Sequence, residues 1–138
     1  MPKVKYDERT EPILEARRYL KNAKDILSEK GEKEDGYYND PKYVRMAGNT
    51  AWNGILIAVE ALTNAKSKTK TRVSIEDYKA YAKKFADIKY INYLNNLYLF
   101  MHLNMGYDGF SEYSMINKSF QIADEFLTKI DNKLKSKK

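Results

Sequence analysis

Cysteine is absent from this chain, and histidine occurs once, as His102. Without thiols there is no disulfide framework, no thiolate zinc site and no cysteine nucleophile. A single imidazole excludes a two-histidine metal site and leaves little room for a histidine-based acid–base pair. No apolar run approaches the roughly 20 residues needed to cross a bilayer. The opening MPKVKYDERT has no apolar core of the secretory type. The isolated glycines form neither a P-loop nor a dinucleotide fingerprint, and no Glu-x-x-His pair of the di-iron type occurs. No stretch alternates polar and apolar residues for long enough to read as a strand. These absences predict a cytoplasmic protein with no membrane span, no metal and no cofactor, and they lean away from an enzyme.

What is present reads as helix. A chain of 138 residues suffices for one domain with a buried core. Ile13, Ala16, Leu20, Ala23 and Leu27 form the first apolar stripe, with Thr10 as cap and Gly31 as stop. Residues 32–39 are polar and read as a loop. Asp40-Pro41 opens a second helix, and Lys66 to Arg72 (KSKTKTR) is a basic loop. Ser74 and Asp77 have the spacing of a capping box. They precede a third helix through Tyr78, Tyr81, Phe85, Ile88, Leu94, Leu97 and Met101, with Asn92 to Asn96 the place where it would kink or break if it is not continuous. The fourth uses Tyr113, Ile116, Phe120, Ala123, Leu127, Ile130 and Leu134. The expected architecture is all-α: an antiparallel up-and-down four-helix bundle forming one domain over residues 1–138, with helices at about 11–30, 41–65, 75–104 and 111–135.

The second helix is the most informative. Ala47, Gly48, Ala51, Gly54, Ala58 and Ala61 line a small-residue face. Two interior glycines cost about 1 kcal/mol each against alanine, and close approach of a neighbouring helix would offset that. A narrow polar ridge runs along the same helix: Arg45, Asn49, Asn53 and Glu60, with Leu56 among them. An arginine can grip a carboxylate or phosphate through two donors, and an asparagine can read an amide or base edge. The ridge therefore suits a small anionic or nucleotide ligand. It suits still better a face that simply meets water, with Arg45 paired to a nearby acid. Trp52 beside it reads as a packing anchor, and His102, in an apolar run, as a hydrogen-bonded core residue.

Net charge is +6. The bundle topology would gather Lys3, Lys5, Lys66, Lys68, Lys70, Arg72, Lys133, Lys135, Lys137 and Lys138 at one end. Glu32, Glu34, Asp35, Asp40, Asp108 and Glu112 would gather at the other, with Tyr37, Tyr38, Tyr43 and Tyr107. A basic pole can meet nucleic-acid phosphates through Lys66, Lys68, Lys70 and Arg72. It can also merely complement helix dipoles and keep the ends hydrated. Twelve tyrosines among many Asn and Lys residues match an AT-rich coding bias and imply no function.

The stretch RMAGNTAWNGILIAVEAL, following ILEARRYLKNAKDIL, resembles the first helical pair of HEPN-type bundles, through Ala47, Ala51, Ala58, Glu60 and Ala61. It is most similar to a small bacterial branch of that superfamily with no assigned activity. Many HEPN proteins are RNases that use an Arg followed four to six residues later by His. Here Arg72 is the nearest arginine before His102, so the catalytic motif does not carry over. The resemblance implies a non-catalytic member that binds a nucleotide or a partner protein and pairs as a homodimer, for which the glycine–alanine face would serve.

Overall fold

The computed structural model describes residues 11–85 and 88–136. Thr10, Lys3, Lys5, Lys137 and Lys138 lie outside the described residues, so the cap and four of the lysines expected at the basic pole fall there. The described chain is mostly helical. Helix α1 (Glu11–Lys30) buries Ile13, Ala16, Leu20, Ala23 and Leu27, one residue per turn on a single face.

A two-stranded hairpin, β1 (Lys33–Glu34) and β2 (Tyr37–Tyr38), follows where the polar composition predicts only a loop. Asp35 and Gly36 both take positive φ, 51° and 82°, the geometry that matches a tight hairpin to strand twist. Strands of two residues leave no alternating pattern to read. Long-range bonds hold the hairpin instead: Tyr38 N–H donates to the Ser111 carbonyl at 2.9 Å, and Tyr113 N–H to the Gly36 carbonyl at 2.8 Å.

Helix α2 (Pro41–Thr63) starts on Asp40, whose carboxylate accepts from the Lys42 N–H, and stops at Asn64 in the left-handed conformation. A single turn, α3 (Ala65–Lys68), then occupies part of the basic segment expected to be a loop. Its start is held by Glu60, whose Oε1 accepts from the Lys66 N–H at 3.0 Å. Ser74 and Asp77 bond reciprocally, Ser74 N–H to Asp77 Oδ2 at 2.9 Å and Asp77 N–H to Ser74 Oγ at 3.1 Å. This capping box launches α4 (Ile75–Phe85).

The third helix differs from expectation. Helix α5 (Ile88–Leu97) passes through Asn92 to Asn96 unbroken, and the backbone widens into a π-helix only at Tyr98–Met105. That wider stretch is where the chain meets α2. A Cβ on Gly48 would lie 2.6 Å from Met105 Cβ and 2.7 Å from both the Gly106 nitrogen and the Met101 carbonyl. Helix α6 (Tyr113–Ser136) completes the described chain.

Gly54 of α2 sits over Tyr19 and Ala16 of α1. Between α1 and α6, where Arg17 bonds Thr128 and Lys24 pairs with Asp124, residue numbers rise along one element and fall along the other. Tyr90 and Tyr93 of α5 pack on Phe126 of α6. One continuous cluster of apolar side chains runs between all of them, including Leu20, Ile55, Leu97, Met101, Phe126 and Ile130. The small-residue face belongs to this interior: Ala47, Ala51 and Ala58 are fully buried, and both glycines are in intrachain contact. The close approach expected of a neighbouring helix is thus made within the chain, by Tyr19 and Ala16 at Gly54 and by Met101 and Met105 at Gly48, and these positions do not also serve a second copy.

Candidate ligand-binding cleft

The polar ridge of α2 divides between two settings. Arg45 is exposed and lies along Gly109, where an added Cβ would be 3.2 Å from its Cζ and Nε. Gly109 has φ +66°, and its bare Cα makes room for the guanidinium. Among the described residues Arg45 has no acidic partner, so the expected pairing is not made. Asn49 donates its amide to the Gly106 carbonyl at 3.4 Å. Both therefore stand beside the turn that follows the π-helix. Asn53 and Glu60, one and three turns further along, front a cleft.

That cleft lies between α2, the segment from residue 69 to 75, the start of α4 and the π-helix. Its first hollow, about 420 Å³, is lined by Trp52, Asn53, Leu56, Arg72, Tyr78, Tyr98 and His102, with the Val73–Ile75 backbone turn. Two more adjoin it. One of about 370 Å³ holds Lys66, Thr71 and Arg72, and one of about 530 Å³ holds Tyr19, Glu60, Asn64 and Lys66; Leu56 and Tyr78 line both. The cleft thus joins half of the ridge, Asn53 and Glu60, to half of the basic loop, Lys66 and Arg72.

Aromatic rings wall the first hollow. His102 stacks on Trp52 with centroids 5.8 Å apart and planes 29° apart. Tyr98 meets Trp52 edge-on at 5.6 Å and His102 at 5.2 Å. Tyr98 and His102 are four residues apart on a π-helix, so the wider turn sets how they share one side. His102 Nδ1 is buried and has no hydrogen-bond partner among the described residues. The expectation of a hydrogen-bonded core histidine is therefore replaced by a half-buried ring stacked at the cleft.

Tyr78 lines both the first hollow and the largest of the three, and Glu60 lines the largest. The Tyr78 hydroxyl donates to Glu60 Oε1 at 3.5 Å. Burial, and then the Glu60 charge, push the Tyr78 hydroxyl up to about 12. Tyr78 is therefore a neutral donor throughout the physiological range. Arg72 is exposed and has no ion-pair partner among the described residues. Lys68 instead lies over the Tyr81 ring at 5.2 Å. The Tyr81 hydroxyl shares a hydrogen bond with Thr69 Oγ1 at 3.1 Å and donates to the Lys68 carbonyl at 3.4 Å. Tyr81 thereby ties the basic segment to α4. Lys66 and Lys70 are exposed, while Lys133 and Lys135 occupy the last turn of α6, Lys135 paired with Asp131 at 3.0 Å.

Trp52, Tyr78, Tyr98 and His102 were not legible as site residues. Each sits at an apolar helical position, and only the crossing of α2 over the π-helix brings three of them together. Among the described residues no group of three or more His, Cys, Asp or Glu side chains could hold a metal ion, and no helix is long and apolar enough to cross a membrane.

Fold and cleft together define a mostly helical protein with an open, ring-walled and positively charged groove beside its second helix. The profile of the family described as "Domain of unknown function (DUF5618)" matches residues 11–132, and the chain belongs to that family. It is similar to the solved structure of a protein of unknown function from Dyadobacter fermentans. The two are 37% identical, with a TM-score of 0.83, over 93% of this chain and 99% of that one. No curated protein matches the chain.

Proposed function

We propose that this protein is a non-catalytic binding module and that a small anionic or nucleotide-like ligand occupies the cleft beside α2. The observation that carries this reading is Arg72: it has no acidic partner among the described residues and lines the same hollow as Trp52, Tyr98 and His102. A free guanidinium beside an aromatic wall offers two-pronged anion recognition and a surface for a flat ring. Asn53 adds an amide that both donates and accepts. A hollow of about 420 Å³ falls within the usual range of small-molecule sites, roughly 300–1,000 Å³.

We take the helices as four rods of an up-and-down bundle, the third assembled from α4, α5 and the π-helix. The likeness to HEPN-type bundles suits a non-catalytic role, with Ala47, Ala51 and Ala58 in the packed face and Glu60 at the cleft. A homodimer would need a surface other than the glycine–alanine face. Nucleic acid held by Lys66, Lys68, Lys70 and Arg72 is the rival reading, because the same arginine serves both.

A thermal-shift screen of anions and nucleotides, run on the wild type and on Arg72→Glu, tests the reading. A ligand at a hundred times its Kd should stabilise the wild type by about 2.7 kcal/mol, and Arg72→Glu should abolish that gain. Equal stabilisation of both proteins would place binding elsewhere. Single-stranded RNA that binds with a steep salt dependence, while small anions do not bind, would favour the rival.

A further inference from the structure

The three hollows of the cleft differ in chemistry and meet at Leu56 and Tyr78. The first is walled by rings. The second carries the two cations Lys66 and Arg72. The third contains Glu60, the one carboxylate that lines any of the three among the described residues. Glu60 is half committed: Oε1 accepts from the Lys66 N–H at 3.0 Å and the Tyr78 hydroxyl at 3.5 Å. Its Oε2 has no partner among the described residues.

We infer that the ligand is a ribonucleoside monophosphate, with its base against the Trp52–His102–Tyr98 wall, its phosphate between Lys66 and Arg72, and its ribose diol donating to Glu60 Oε2. This rests on the cleft being the binding site. Charge selects the number of phosphates. Two cations balance a phosphate monoester, which carries about −1.5 to −2 at pH 7. A triphosphate would bring roughly twice that charge against the same two side chains, with the Glu60 carboxylate adjoining. The carboxylate selects the sugar, because an ionised acceptor with a free oxygen rewards a diol that can donate to it. A ligand with a ring and an acid group but no hydroxyls would leave that oxygen without a partner.

The test is isothermal titration of the whole chain with AMP, GMP, CMP and UMP. For whichever binds, the nucleoside, the triphosphate and the 2′,3′-dideoxy monophosphate follow. The monophosphate should bind at least about tenfold tighter than the nucleoside and the dideoxy analogue, each of which loses hydrogen bonds to a charged group, and tighter than the triphosphate, whose extra charge the two cations do not match. In Glu60→Gln the preference for the diol should disappear. The glutamine carbonyl can still accept from Lys66 and Tyr78, so this variant keeps the local fold, and an unchanged melting temperature checks that it does.

Equal binding of the dideoxy analogue, or tighter binding of the triphosphate, overturns the inference. The cleft reading survives that result if Arg72→Glu still blocks binding. If no nucleotide binds at millimolar concentration, the inference is overturned as well. Indole-3-acetate, a flat ring with one acid group, then judges the cleft alone: binding to the wild type and not to Arg72→Glu retains it. Monophosphate binding that ignores Arg72→Glu sinks both.

Discussion

The two long sides of α2 are made from the same sequence register and do opposite things. On one, Gly48 and Gly54 bring backbone against neighbouring elements so closely that an added Cβ would lie 2.6–2.7 Å from its nearest neighbours. On the other, Asn53, Leu56 and Glu60 face hollows of about 420 and 530 Å³. The filled side carries alanine and glycine, and the open side carries amide, leucine and carboxylate. A helix that is apolar around most of its girth therefore needs only a few polar positions to mark where packing stops. Glycine in such a helix marks where it is tightest, since its propensity cost of about 1 kcal/mol must be offset by contact.

The contrast is broken most forcefully by filling the tight side. In Gly48→Leu the new side chain meets the Gly106 nitrogen and the Met101 carbonyl, both backbone atoms, so no rotamer change relieves it. The expected loss is about 3 kcal/mol or more, at or above the upper end of ordinary overpacking costs. Gly54→Leu meets the Tyr19 Cβ and the Ala16 carbonyl and should lose about 1–3 kcal/mol. Urea melts of both variants measure this. An unchanged midpoint in either would mean that α2 is not clamped on that side.

Next in size is the cap that shapes the open side. Ser74→Ala removes the oxygen that receives the Asp77 N–H and should cost about 1 kcal/mol. The same change should loosen the segment carrying Arg72, so faster amide exchange at residues 70–75 is expected alongside the lower midpoint. A stability loss with unaltered exchange there would mean that the cap supports α4 alone and leaves the rim of the cleft untouched.

How much of this was legible follows from which forces are local. The stripe Ile13 to Leu27, the Asp40 cap and the Ser74–Asp77 box are written in residues a few positions apart, and each appears in the structure where its spacing puts it. The glycines announce a close approach but not its partner: the same pattern suits a neighbouring helix or a second copy, and it is filled by Tyr19, Met101 and Met105 of the same chain. The hairpin at Lys33–Tyr38 and the π-helix at Tyr98 are fixed by contacts across the chain, to Ser111 and to Gly48, and no local pattern encodes those. The cleft was half legible. Asn53 and Glu60 stood out as polar on an apolar helix, and Arg72 as part of a basic run. Trp52, Tyr98 and His102 looked like core residues because their role depends on a crossing of two helices.

Alkaline pH sharpens the comparison more gently. Tyr78 ionises near 12 in the fold against 10.0 for its ordinary value. The neutral form is thus the one the folded state favours. That contribution is complete below pH 10 and is lost as pH rises towards 12, because the unfolded chain releases its proton first. By pH 11 the loss should be about 1 kcal/mol or less. Tyr38 and Tyr93 are also raised, each chiefly by burial, and contribute in the same window. Tyr78→Phe should therefore flatten the fall in melting temperature between pH 10 and 12 while changing little at pH 8. An equally steep fall in the variant would assign the slope to other raised groups, Tyr38, Tyr93 and the Asp25-paired Lys21 among them.

The smallest effect on stability belongs to the residue proposed to matter most for binding. Arg72 is exposed and makes no ion pair among the described residues, so Arg72→Ala should change stability by no more than about 0.5 kcal/mol. That near-zero value separates the two sides of α2 by purpose. A side chain that contributes little to folding, yet lines the same hollow as Trp52, Tyr98 and His102, has no structural account for its position. If Arg72→Ala instead lowered the midpoint as a glycine substitution does, the guanidinium would be part of the packing after all. The open side of α2 would then be a poorly filled extension of the core, and the contrast between packed and binding faces would disappear.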